Sequence, residues 1–157
     1  MNGRNFNQQR DGGTFGNRPQ RQEKEKKTFE QLAEDVRKQF FSDTFSELLN
    51  MNKASNLDHI LKKIEEFVSE EGKNLTTSQL RNIYDKAIKA QDLNALKLIR
   101  PNLAYIAGRN TTTNNEKSLL AFIDLLIKSV QSDEQVKGFK TFFEAVVAYH
   151  KFYGKTN

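Results

Sequence analysis

From Thr28 onward, apolar residues recur at steps of three and four, the period of helices that each bury one face. Phe29, Leu32, Val36 and Phe40, then Phe45, Leu48 and Leu49, predict a first helical stretch that Ser42-Asp43-Thr44 divides in two. Thr28 and Gln31 stand at capping-box spacing at its start. Asn56 is placed to cap a second helix bearing Leu57, Ile60, Leu61, Ile64, Phe67 and Val68, closed by Gly72. Thr77 or Ser78 opens a third, with Leu80, Ile83, Tyr84 and Ala87 inward. Asp92 caps a short fourth helix through Leu93, Leu96 and Ile99. Pro101 cannot continue that helix but can begin the next turn, and Leu103 to Ala107 then runs to Gly108.

Asn110 to Asn115 reads as a polar loop. The helix predicted from about Glu116 to Gln131 is apolar over most of its circumference, through Leu119, Leu120, Phe122, Ile123, Leu125, Leu126, Ile127 and Val130. It is therefore expected at the centre of the fold. A last helix runs from about Asp133 to Tyr153 and ends at Gly154. No strand-like alternation and no solenoid period is present. The pattern predicts an all-α compact bundle of about five or six helices over residues 28–157.

Residues 1–27 are of another kind. Asn, Gln, Gly and Arg dominate, with Phe6 and Phe15 the only aromatics. Such a segment lacks the apolar area to offset its ordering entropy and is expected to be a disordered basic tail. Arg4, Arg10, Arg18 and Arg21 beside two phenylalanines can touch RNA by charge and stacking, or can simply remain solvated.

Charge changes the picture more than composition does. The chain's formal net charge is +5. Residues 1–27 hold seven cations and three acids, whereas residues 28–157 hold eighteen and seventeen. Within the helical part the signs separate. Thr28 to Glu71 carries five cations and ten acids. From Lys73 to Arg109 there are seven cations (Lys73, Arg81, Lys86, Lys89, Lys97, Arg100, Arg109) against Asp85 and Asp92. A positive middle is a candidate footprint for a polyanion, nucleic acid above all, unless the charges only solvate helix faces.

Candidate chemistry narrows the field. Without cysteine there are no disulfides and no thiolate metal sites. No glycine-rich phosphate loop, GxSxG elbow or HExxH motif occurs. His59 and His150 are too few for a histidine-based metal cluster, and Asp58-His59 lacks partner histidines; both read as surface or core-edge residues. No catalytic residue, metal, cofactor or small-molecule substrate is therefore expected. No apolar run approaches the roughly 20 residues of a membrane span, and the N-terminus has no apolar signal core, so a cytoplasmic protein without membrane association is expected.

Two basic features remain. On a helical wheel Arg81 falls on the flank of the face formed by Leu80, Ile83, Tyr84 and Ala87, where its stem can pack while its guanidinium faces a ligand. On the last helix Lys137, Lys140, Lys151 and Lys155 form a stripe interrupted by Glu144, opposite Phe139, Phe142, Phe143, Val146 and Tyr153. Such a stripe either solvates the helix or tracks phosphates without reading sequence.

Three blocks, LTTSQLRNIYD (residues 75–85), LIRPNLAYIAGR (98–109) and FKTFFEAVVAYHKFYG (139–154), stand in this order in the chain. Together they resemble the small helical subunit of the type III-A, or Csm, CRISPR–Cas effector complex. The matching elements are Thr77 to Arg81, Ile99 to Arg109 and Glu144 to His150, within about residues 56 to 154. Ile99 replaces a leucine of the pattern, and the N-terminal tail lies outside it.

The resemblance implies a helical bundle with no catalysis of its own, acting in antiviral defence. Several copies would stack head to tail in a ribonucleoprotein filament, against the crRNA-binding backbone subunits and the large subunit, facing the crRNA–target RNA duplex. Target cutting would belong to the backbone subunit, and cyclic oligoadenylate synthesis and DNA cutting to the large one. By motif position Arg81, Arg100 and Arg109 become candidates for RNA-binding contact or for ion pairs that shape the contact face. Lys140 and Lys151 are weaker candidates from the stripe. The competing reading is a protein-only helical adaptor with no direct RNA contact.

Overall fold

The computed structural model describes Gly16, residues 26–109 and residues 112–154. The expected tail over 1–27 lies outside the described residues except for Gly16, Lys26 and Lys27, as does Lys155 of the last-helix stripe. Seven α-helices and one 3-10 segment are described: α1 Phe29–Phe40, the 3-10 segment Phe45–Lys53, α2 Leu57–Glu71, α3 Thr77–Lys89, α4 Leu93–Lys97, α5 Arg100–Ala107, α6 Asn114–Ser129 and α7 Asp133–Tyr153. The fold is all-α; the expected break at Ser42-Asp43-Thr44 is a turn, and the stretch after it is the 3-10 segment, itself kinked at Asn50.

Side chains at the helix starts explain the boundaries. Thr28 and Gln31 form the predicted capping box of α1, and Asn56 and Asp92 cap α2 and α4 by accepting from the His59 and Ala95 amides. α3 begins at Thr77, as expected, and is capped by the preceding Thr76, whose hydroxyl stands three residues before Gln79 so that the two close a reciprocal box. One start, that of α6, differs from expectation: Thr113 likewise boxes with Glu116 and begins α6 earlier than Glu116.

α6 and α7 organise the core. α6 is flanked by α1 and α5, and α7 by the 3-10 segment, α2 and α3, while α2 touches both. As expected of a central helix, α6 buries Leu119, Leu120, Ala121, Phe122, Ile123, Leu126 and Ile127. Phe122 sits among rings from four other segments: Phe41, Phe45, Phe67 and Phe142. Gly138 lets the 3-10 backbone lie directly against α7, since a β-carbon there would run into the Leu49 carbonyl.

α3, α4 and α5 bury few side chains of their own: Leu80, Ile83 and Ala87 in α3, Leu96 in α4, Leu103 and Ala107 in α5. Among the described residues no helix is long and apolar enough to cross a membrane.

Candidate nucleic-acid interface

The positive middle of the chain maps onto α3, α4, α5 and their connections. Folding does not neutralise it. Several acidic residues of the first segment pair elsewhere: Glu34 with Arg37, Glu66 with Lys63, Asp35 with Lys27, Glu30 with Lys128. Of the seven cations between Lys73 and Arg109, Arg100 alone makes an ion pair among the described residues. Arg81, Lys73, Lys86 and Lys89 are exposed on or beside α3, and Lys97 is half-buried on α4.

Arg100 is built differently. Its guanidinium takes Asp124 of α6 through two nitrogens, Nε to Oδ1 at 2.9 Å and an η nitrogen to Oδ2 at 3.4 Å. The Asp124 side chain is only 15% exposed. The fork fixes the start of α5 on α6, and removing the arginine would leave a mostly buried carboxylate unpaired.

Lys140 is also engaged. Its ammonium crosses from α7 to the Ala90 carbonyl, 2.5 Å away, at the C-terminal end of α3. A cation at that end of a helix meets unsatisfied carbonyls and the negative pole of the helix dipole. Lys151 is exposed on α7 and makes no ion pair among the described residues, and the same holds for Lys137.

His150 is a third such contact and departs from expectation, being fully buried rather than surface or core-edge. Its Nε2 lies 3.0 Å from the Gly72 carbonyl and 2.8 Å from that of Leu75. Both partners accept, so Nε2 carries the proton and donates to the turn that opens α3. Burial pushes its pKa down, and the two carbonyl hydrogen bonds oppose part of that shift. The backbone at Gly154 closes over the ring so tightly that a β-carbon there would collide with it. His59 instead faces Asp43, Nε2 to Oδ2 at 3.0 Å, and this hydrogen bond holds the Asp43 carboxyl below the usual carboxylate range.

Arg109 stands at the far end of the basic stretch. It is exposed, and its guanidinium lies over the Tyr105 ring, 5.3 Å from the centroid. Tyr105 is itself 68% exposed. The sequence reading does not single out Tyr105 as a contact residue; its signals are its place in the LIRPNLAYIAGR block and an aromatic four positions before an arginine. Among the described residues no three His, Asp or Glu side chains are placed to hold a metal ion.

Arg81, Arg109 and Lys151 therefore present cationic groups without a carboxylate partner among the described residues, whereas Arg100 and Lys140 are joined to the fold. A family model described as Csm2 Type III-A matches residues 51–156, enclosing all three blocks that carry the resemblance. No curated protein and no solved structure matches the chain.

Proposed function

The chain belongs to the Csm2 type III-A family, and on that premise we propose that it is a non-catalytic structural subunit of the Csm ribonucleoprotein that grips RNA. Several copies stack along the filament beside the backbone and large subunits. Each contacts the crRNA–target RNA duplex through phosphates. Sequence readout is neither needed nor wanted: a guide complex must accept any target, so base pairing carries the sequence and protein carries shape and charge.

The observation that supports RNA contact is that six of the seven cations from Lys73 to Arg109 make no ion pair among the described residues. Outside that stretch Lys27, Arg37, Lys53, Lys63 and Lys128 find carboxylates, whereas Lys26, Lys38, Lys62, Lys117, Lys137, Lys140 and Lys151 make no ion pair among the described residues, so pairing is more frequent there (five of twelve) than within it (one of seven). Arg81 and Arg109, with Lys151 as a further point on α7, hold phosphates in this reading. Arg100 and Lys140 hold the segments that carry them.

The test compares assembled complexes bearing Arg81→Ala, or Arg81→Ala with Arg109→Ala, across a salt series with two unrelated guide–target pairs. Affinity should fall similarly for both pairs. The salt slope should drop by somewhat under one unit, roughly 0.7 to 0.9, for each phosphate no longer held. The single change should be mild, because several copies grip one duplex together. Intact assembly with unchanged affinity and slope would leave the protein-only adaptor as the better reading.

A further inference from the structure

Phosphate contact does not account for one part of the basic surface. On the outer side of α5 the Tyr105 ring stands 68% exposed, and Leu98, just before the helix, is 77% exposed. Tyr105 and Arg109 are four residues apart, and the guanidinium lies over the ring, 5.3 Å from its centroid. A phosphate needs only a point charge. An arginine laid on an exposed aromatic offers more: a planar group held in one orientation, a π-surface beside it, and N–H donors at the rim. No carboxylate pairs with this guanidinium among the described residues.

We propose that Tyr105 and Arg109 form a stacking platform for an unpaired nucleobase, a binding site for single-stranded RNA at the end of the phosphate-holding stretch. The proposal rests on the RNA-contact reading above and adds a ligand class to it. Two features favour a nucleotide over a protein partner. A carboxylate-bearing protein surface would meet the arginine's charge but leave the ring without a stacking partner. A nucleotide meets both at once, through its base and its phosphate. Every base has a π-face, so stacking keeps the sequence tolerance that a guide complex requires. The surrounding stretch, with seven cations against two acids, supplies the charge complementarity.

The experiment uses the full chain with two probes, a short single-stranded oligouridylate and a blunt RNA duplex of equal length, each across a salt series. Tyr105→Leu keeps apolar bulk but removes the π-face; Tyr105→Phe keeps the π-face and removes the hydroxyl. The Leu variant should bind the single strand about 5- to 140-fold more weakly. Its salt slope should match wild type, because no charge is removed. The Phe variant should behave as wild type, and duplex affinity should be unchanged in both. An unchanged melting temperature shows that each fold is intact, as expected for an exposed position.

If Tyr105→Leu binds oligouridylate as wild type does, the platform is refuted. The same holds if its only effect is a smaller species in sedimentation, which would make this face a protein seam. Duplex binding without single-strand binding by the wild type overturns the platform alone. Failure to bind either probe overturns the platform and removes the support for direct RNA contact with it.

Discussion

Replacing Phe122 by alanine tests the centre of the fold. The side chain is fully buried on α6, with Phe41 stacked against it at 4.7 Å and an interplanar angle of 11°. Phe67 meets its edge at 5.2 Å, and Phe45 and Phe142 stand at 6.1 Å. Those four rings come from the end of α1, the 3-10 segment, α2 and α7, so no single element can move in to fill the hole. A phenylalanine truncated in such a site costs about 3–5 kcal/mol, rising by about 2.4 kcal/mol for each 100 Å³ left unfilled. The upper half of that range is expected here, because the walls are anchored on separate helices. It is a large share of a total stability of about 5–15 kcal/mol. Urea unfolding followed by circular dichroism at low temperature reads the destabilisation as a fall in midpoint at constant slope. A cycle with Phe41→Ala should return a coupling of about 0.5–1.5 kcal/mol for the stacked pair. A cost below about 1 kcal/mol would refute the central placement of α6.

Two further changes test the close packing of α7. Gly138→Ala would place a β-carbon against the Leu49 carbonyl, so it should destabilise by about 1–3 kcal/mol although alanine is the better helix former; an unchanged or raised urea midpoint would refute the close approach. His150 has a folded pKa below the usual 6.5, so between the two values the unfolded chain binds more protons; its contribution to stability should fall as pH drops from 6.5 to the depressed value and be level on either side of that window. His150→Gln should remove that part of the pH dependence, and a profile parallel to wild type would show that another group produces it.

Much of this architecture is legible in the sequence, because helical period and caps are local. The Thr28–Gln31 box, the Asn56 and Asp92 caps and the buried circumference of α6 all depend on residues within a turn or two of each other. The cap of α3 is set by a local reason too. Thr76, Thr77 and Ser78 can all cap, and only the three-residue spacing to Gln79 selects Thr76. What the pattern hides is long-range. Arg100 finds Asp124 across 24 positions, Lys140 finds Ala90 across 50, and His150 finds Leu75 across 75. Nothing in a one-dimensional pattern distinguishes these from the exposed cations, since an arginine beside a helix looks the same whether it meets a carboxylate or water. The burial of His150 is hidden for a related reason: a polar ring on an apolar face needs specific acceptors, and these lie on another element.

The three long-range contacts share a property that ties the core to the proposed function. His150 reaches the turn before α3, Lys140 the end of α3, and Arg100 the start of α5. These are the boundaries of the segments that bear the exposed cations, and those segments bury only a few apolar side chains each. Apolar packing alone is non-directional and lets a short helix slide or rotate, whereas a hydrogen bond to a particular carbonyl or carboxylate fixes its end. Phosphates along an RNA duplex are regularly spaced, so cations that grip them must hold their spacing as well as their charge. Arg100 and Lys140, which by sequence alone stand beside Arg81 and Arg109 as contact candidates, are in this view more useful inside the fold. Asp124 neutralises Arg100 and the Ala90 carbonyl holds the Lys140 ammonium, so what they contribute to RNA is the position of their neighbours.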